Sequence, residues 1–117
     1  TIEEELGKLA SLSNPSRTIY VMHSPPYDTT LDVLWSGRHA GSRTLRRFIE
    51  RNGPPLTLHG HVHESHTVTR EVIDPVGKTI CVNPGQSAKV LHAVIIDVTG
   101  YAPNRITTYP GNRTVLL

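Results

Sequence analysis

Histidines 23, 61 and 63 are the residues of this chain whose type and spacing most readily do chemistry. Four of its seven histidines fall in two short segments, Met22-His23-Ser24-Pro25-Pro26 and Leu58-His59-Gly60-His61-Val62-His63-Glu64-Ser65. Neutral imidazole is the commonest protein ligand for Zn, and it also suits Fe, Mn, Ni and Co. His61 and His63 stand two residues apart, so in extended backbone their side chains leave the same face. Gly60 ahead of them permits a sharp turn or a close approach of backbone to a ligand. All three of these ligands are neutral, and no neighbouring run of carboxylates balances a divalent ion.

The elements needed to position them can be read from pattern and punctuation. Thr1-Ile-Glu-Glu has a capping-box spacing, and Ile2, Leu6 and Leu9 follow at helical intervals until Asn14-Pro15-Ser16. Thr18 to Met22 reads as a short buried strand ending at His23, and Pro25-Pro26 blocks its continuation. Residues 24 to 41 form a long loop, of the kind that is usually functional or mobile. Ser42 can cap a second helix running to about Asn52, with Leu45, Phe48 and Ile49 inward and Arg43, Arg46, Arg47 and Arg51 as a solvated face. Leu56 to His59 reads as the next strand, and it delivers the His61 and His63 pair at its end.

Further on, Thr67 to Ile73 alternates as a strand, Asp74 to Gly77 as a turn, and Lys78 to Val82 as the returning arm of a hairpin. Asn83-Pro84-Gly85 breaks that arm. Ala93 to Val98 is the most strand-like stretch, and Arg105 to Tyr109 reads as an edge strand. A βαβ order followed by antiparallel strands places the chain in the α/β or mixed α+β class, as a single domain over residues 1–117. One sheet built from residues 18–22, 56–59 and 93–98 is expected, with a face and an edge left open to self-association.

Met22-His23-Ser24-Pro25-Pro26, Gly60-His61-Val62-His63 and Asn83-Pro84-Gly85, with the helix around Ala40-Gly41-Ser42, Leu45 and Ile49 between them, resemble the C-terminal motifs of the calcineurin-like metallophosphoesterases. The resemblance runs from about Ile19 to Val98. It implies a four-layer α/β/β/α sandwich with two divalent metal ions (Mn, Fe, Zn, Ni or Co) between its halves. On that pattern His23 and His61 would bind one ion and His63 the other, and a metal-bridging hydroxide would hydrolyse a phosphate mono- or diester. Arg38 and His39, in the loop after His23, are candidates for holding the phosphate or the leaving group.

The Asp-x-His, Gly-Asp-x-x-Asp and Gly-Asn-His motifs of the family's first half are missing, and Asp28, Asp32, Asp74 and Asp97 stand isolated. Two divalent ions a few ångströms apart repel strongly without a bridging anion, which three neutral histidines do not provide. The chain is therefore expected to be the C-terminal part of such a domain and inactive alone. Two other functions fit the residues: a non-catalytic binding protein that keeps the fold, and a stand-alone domain with one zinc on three histidines.

Composition narrows the partners. A net charge of +2, with most of the arginine in one segment, gives no case for nucleic acid. No apolar run is long enough to span a bilayer, so no membrane partner is expected. The N-terminus has no signal-peptide character and Cys81 stands alone, so a cytoplasmic setting and an inert core thiol are expected. His59 is expected to pack within its strand, and His66 and His92 to be surface or strand residues. Tyr27 and Trp35 either line a substrate pocket or anchor the long loop.

Overall fold

In the computed structural model, which describes residues 1–117, helix α1 (Ile2–Leu12) opens on the Thr1 capping box: Thr1 Oγ1 accepts the Glu4 amide at 3.2 Å, and the Glu4 carboxylate answers the Thr1 amine. A short 3₁₀ turn (Pro15–Arg17) leads into β1 (Ile19–Val21). Helix α2 (Arg43–Asn52) begins where the Ser42 hydroxyl accepts the Leu45 amide, and it ends on Gly53 in the left-handed conformation. Then follow β2 (Leu56–Leu58), the short helix α3 (Ser65–Thr69), β3 (Ile73–Val76) and β4 (Thr79–Val82). Strands β5 (Ala93–Thr99), β6 (Ala102–Tyr109) and β7 (Thr114–Leu116) complete the chain.

The strands form two sheets, and the protein is of mixed α/β class. The first sheet has the order β1-β2-β4-β3, with β1, β2 and β4 parallel and β3 antiparallel. The second is an antiparallel meander, β5-β6-β7. The period-2 alternation of the first sheet sends its two faces into different cores. Tyr20, Cys81 and Val76 point toward Leu45, Phe48 and Ile49 of α2, with Leu6 and Ala10 of α1 behind them. Leu56, Leu58, Ile73, Ile80 and Val82 point the other way, onto Val94, Ile96 and Ile106 of the second sheet. The result is three layers: helices, first sheet, second sheet.

The second sheet does not reach across all of the first. By register Ile19 and Val21 of β1 share a face with Leu56 and Leu58, yet they are 43% and 78% exposed. Strand β1 also pairs only with β2, so one of its edges is free. The expected open face and open edge thus both lie at β1.

Four expectations from sequence need correction. Residues 93–99 do not join the first sheet; they found the second one. Strand β6 is central rather than an edge, because Thr114–Leu116 pairs along it. The stretch Thr67 to Ile73 is not one strand: its first part is α3, whose Ser65 and Thr69 hydroxyls both donate to the Thr30 carbonyl, at 2.7 and 2.9 Å. Those tertiary bonds outweigh the β-propensity of Thr67, Val68 and Thr69. The hairpin exists, but its turn is Gly77-Lys78, with Val76 opposite Thr79. Asp74 lies in β3 because its carboxylate is occupied elsewhere, accepting the Thr30 amide at 2.7 Å. Pro75 is tolerated there because β3 is an edge strand.

The two faces of β1 and its neighbours predict opposite responses to truncation. Ile49→Ala, at a fully buried site, should cost about 2–5 kcal/mol in urea unfolding. Val21→Ala should change stability by less than about 0.5 kcal/mol.

Candidate metal centre

Three strands, β1, β2 and β4, run parallel and end at the same edge of the first sheet. The loops that leave them carry His23, His61 and Asn83, so the topology alone brings these three residues to one place. His23 and His61 then meet directly: His23 Nε2 lies 3.0 Å from His61 Nδ1, with ring centroids 4.7 Å apart. Both imidazoles are exposed. A metal ion holding two imidazole nitrogens at about 2.1 Å and near a right angle sets them about 3.0 Å apart, so this spacing fits chelation. His63 lies outside the pair, and no three His, Cys, Asp or Glu side chains converge on one point.

The backbone around His61 is unusual. Its φ is +63°, a left-handed value that a side-chain-bearing residue adopts at a cost. The Val62 amide bonds the Gly60 carbonyl at 2.7 Å, closing a tight turn around His61. The sharp turn expected at Gly60 therefore falls one residue later. A Cβ on Gly60 would meet only the His23 carbonyl, at an ordinary 3.9 Å. What Gly60 does contribute is its amide, which donates to that carbonyl at 2.9 Å and ties the two histidine loops together.

His59 makes a second tie. Its Nδ1 lies 2.9 Å from the Ser24 carbonyl, which can only accept, so Nδ1 carries the proton. Nε2 must then accept from the Thr57 hydroxyl at 2.8 Å. The ring is buried with both nitrogens used, as expected of a packed residue, and burial lowers its pKa to about 4.

Asn83 makes a third. Its side-chain amide is buried; it donates to the carbonyls of Leu31 at 2.9 Å and Val62 at 3.1 Å, and its oxygen accepts the Gly85 amide at 3.0 Å. Asn83-Pro84-Gly85 is thus more than a turn, since it clamps the long loop to the His61–His63 segment. Gly85 sits at φ +72° against the His63 carbonyl, where an added Cβ would come within 2.9 Å. The neighbouring Gln86 amide donates to that carbonyl at 3.1 Å.

The long loop is ordered by Asp32, which is not isolated. Its fully buried carboxylate accepts the amides of Asp28, Thr29 and Gly41 at 2.9–3.0 Å and faces His39 Nδ1 at 2.6 Å. Spacing along the chain gave no signal for this, because the partners lie up to nine residues away and are mostly backbone. His39 Nε2 in turn lies 3.4 Å from the Asp28 carboxylate. Gly41 is required at the loop's neck, where a Cβ would fall 2.7 Å from the Pro25 carbonyl.

Helix α2 holds the same loop from the other side. Arg43 stacks on the Tyr27 ring at 3.8 Å, and Arg46 donates to the carbonyls of Tyr27 and Asp28 at 2.9 Å each. Two of the four helix arginines, Arg43 and Arg46, thus also clamp the loop from the solvated face. Tyr27 anchors the loop, whereas Trp35 at its tip is 70% exposed. Arg38 is exposed and makes no ion pair. His66 and His92 pack edge to face 5.1 Å apart; burial, then the neighbouring His92, lower the His66 pKa. Cys81 is buried in the core, which pushes its thiol up to about 11 and leaves it inert at neutral pH.

No protein-family model and no curated protein sequence matches the chain. A solved structure superimposes on 97% of it with a TM-score of 0.59 at 21% identity. That superposition takes in 37% of the solved chain, so this chain spans well under half the length of its structural neighbour. At that identity the likeness concerns the fold alone.

Two measurements check the ties. Between about pH 6.5 and 4 the unfolded state binds a proton that native His59 refuses, so its contribution is complete above pH 6.5 and fades as the pH falls toward 4. Chemical denaturation across that range should show His59→Phe with a shallower acid loss than the wild type. Asn83→Ala strands two carbonyl acceptors and one amide, and should cost about 2–3 kcal/mol.

Proposed function

We propose that this chain supplies the imidazole side of a two-metal phosphoesterase centre, with the carboxylates coming from segments outside residues 1–117. The observation that carries this reading is the His23–His61 pair, two nitrogens 3.0 Å apart on loops from adjacent parallel strands. The motif resemblance adds His63, on the same segment and outside the pair, as the ligand of a second ion.

Metal ions bound there would supply Lewis-acid stabilisation of phosphoryl oxygens and activation of water. The chain's own residues do the positioning. His59, Gly60 and Asn83 fix the relative placement of the ligand loops, so that little ordering is left for the moment of binding. Arg38, unpaired and exposed, is suited to hold a phosphoryl oxygen. His39 has Nδ1 committed to Asp32, so only Nε2 is left to meet a leaving group, and Asp28 competes for it. The substrate is a phosphate mono- or diester, and the free edge and open face of β1 are where a covering segment or a second copy would pack.

The test uses the longer protein that includes this chain, assayed on an aryl phosphate with Mn²⁺. His61→Ala and His63→Ala should each lower kcat/KM by at least about a hundredfold. Near-normal turnover in either variant would sink the proposal. Elemental analysis of the same protein should find close to two metal ions per chain, and fewer after either substitution.

A further inference from the structure

The tip of the long loop is an ordered hairpin that carries an exposed tryptophan. Residues 33 to 39 form a small hairpin: Val33 bridges His39, Leu34 donates to the Arg38 carbonyl, and Gly37 donates to the Leu34 carbonyl, the last two at 2.8 Å. The arm is rigid at its base, where Leu31 and Asp32 are fully buried. It is also fixed to the histidine segment. The Val33 amide donates to Ser65 Oγ at 3.2 Å, and the Trp35 amide approaches the Glu64 carboxylate at 3.5 Å. Glu64 directly follows His63. A rigid arm thus holds the chain's only tryptophan beside the ligand segment, with 70% of its surface in water. Three residues along stands Arg38, exposed and without an ion-pair partner.

An exposed indole carried on an ordered backbone is a stacking surface. An exposed guanidinium recognises phosphate oxygens, and Arg38 supplies one on the same hairpin, three residues along. We infer that the Trp35–Arg38 tip recognises the leaving group of the substrate, and that this leaving group carries a planar aromatic ring, as in a nucleoside or aryl phosphate. The phosphate end of this inference rests on the phosphoesterase reading; the stacking end rests on the geometry of the arm.

The difference in emission between the wild type and Trp35→Leu reports on the surroundings of Trp35, the one tryptophan of residues 1–117. The longer protein that includes this chain is given adenosine 5′-monophosphate, phenyl phosphate and ribose 5-phosphate in the presence of Mn²⁺, with indole emission and inhibition of aryl-phosphate hydrolysis read together. At least one of the two aromatic esters should quench the indole and bind roughly tenfold or more tighter than ribose 5-phosphate, the gain expected of one stacked ring. The tighter of the two identifies the source of the ring. Trp35→Leu should abolish that preference, Trp35→Phe should retain most of it, and Arg38→Gln should weaken all three esters alike.

Equal affinity for all three esters, or an aromatic preference that survives Trp35→Leu, would overturn the inference. Mn²⁺ binding, followed separately by its paramagnetic resonance signal in wild type and His61→Ala, keeps the two readings apart. Metal bound without aromatic preference removes the stacking role and spares the metal centre. Aromatic preference without metal does the reverse.

Discussion

Everything at this site depends on three parallel strands ending at one edge with loops that must be joined by buried hydrogen bonds. A loop crossing the end of a sheet carries amides and carbonyls that the ladder no longer satisfies, and leaving them dry and unpaired is costly. Here the missing partners come from a few side chains. His59 reaches the Ser24 carbonyl, and Asn83 reaches those of Leu31 and Val62. Each bond that satisfies a backbone group also fixes one loop against another. The placement of His23 beside His61 follows from this, since neither imidazole is itself held by anything but the other.

The same logic accounts for an eighteen-residue loop, residues 24–41, that is nevertheless ordered. A single buried carboxylate would be prohibitive without partners. Asp32 has three amides and an imidazole around it, which makes it the nucleus of the loop. Arg43 and Arg46 then draw the loop onto α2. The bonds that tie this loop to the segment after β2 let the left-handed backbone of His61 persist, while Trp35 stays exposed at the loop's tip. Backbone held in a left-handed conformation by its surroundings, as at His61, is common at binding sites.

What could be read in the residues and what could not divides along the range of the interactions. Both long helices, the strands at 19–21 and 56–58, and the inward stripe of Leu45, Phe48 and Ile49 were legible, because capping, punctuation and periodicity are local. Residues 67–69 misled because their β-branched side chains favour a strand, while their actual partner, the Thr30 carbonyl, is more than thirty residues away. Asp74 and Asp32 looked like a turn residue and an isolated acid for the same reason. The division of the strands into two sheets was also hidden, since Ala93 to Val98 would suit either one.

By itself the sequence determined which side chains could act and roughly where each lies along an element. His23 and His61 follow short strands, and proline or glycine ends each strand there. The tertiary structure alone decided that the two rings face each other at 3.0 Å while His63 stands apart, that the tight turn sits on His61 rather than Gly60, and that Asn83 is a clamp. The reason is physical. Propensity and pattern act over a few residues, whereas the position of a ligand depends on the register of parallel strands that are distant in sequence and on buried polar groups finding partners wherever the fold brings them.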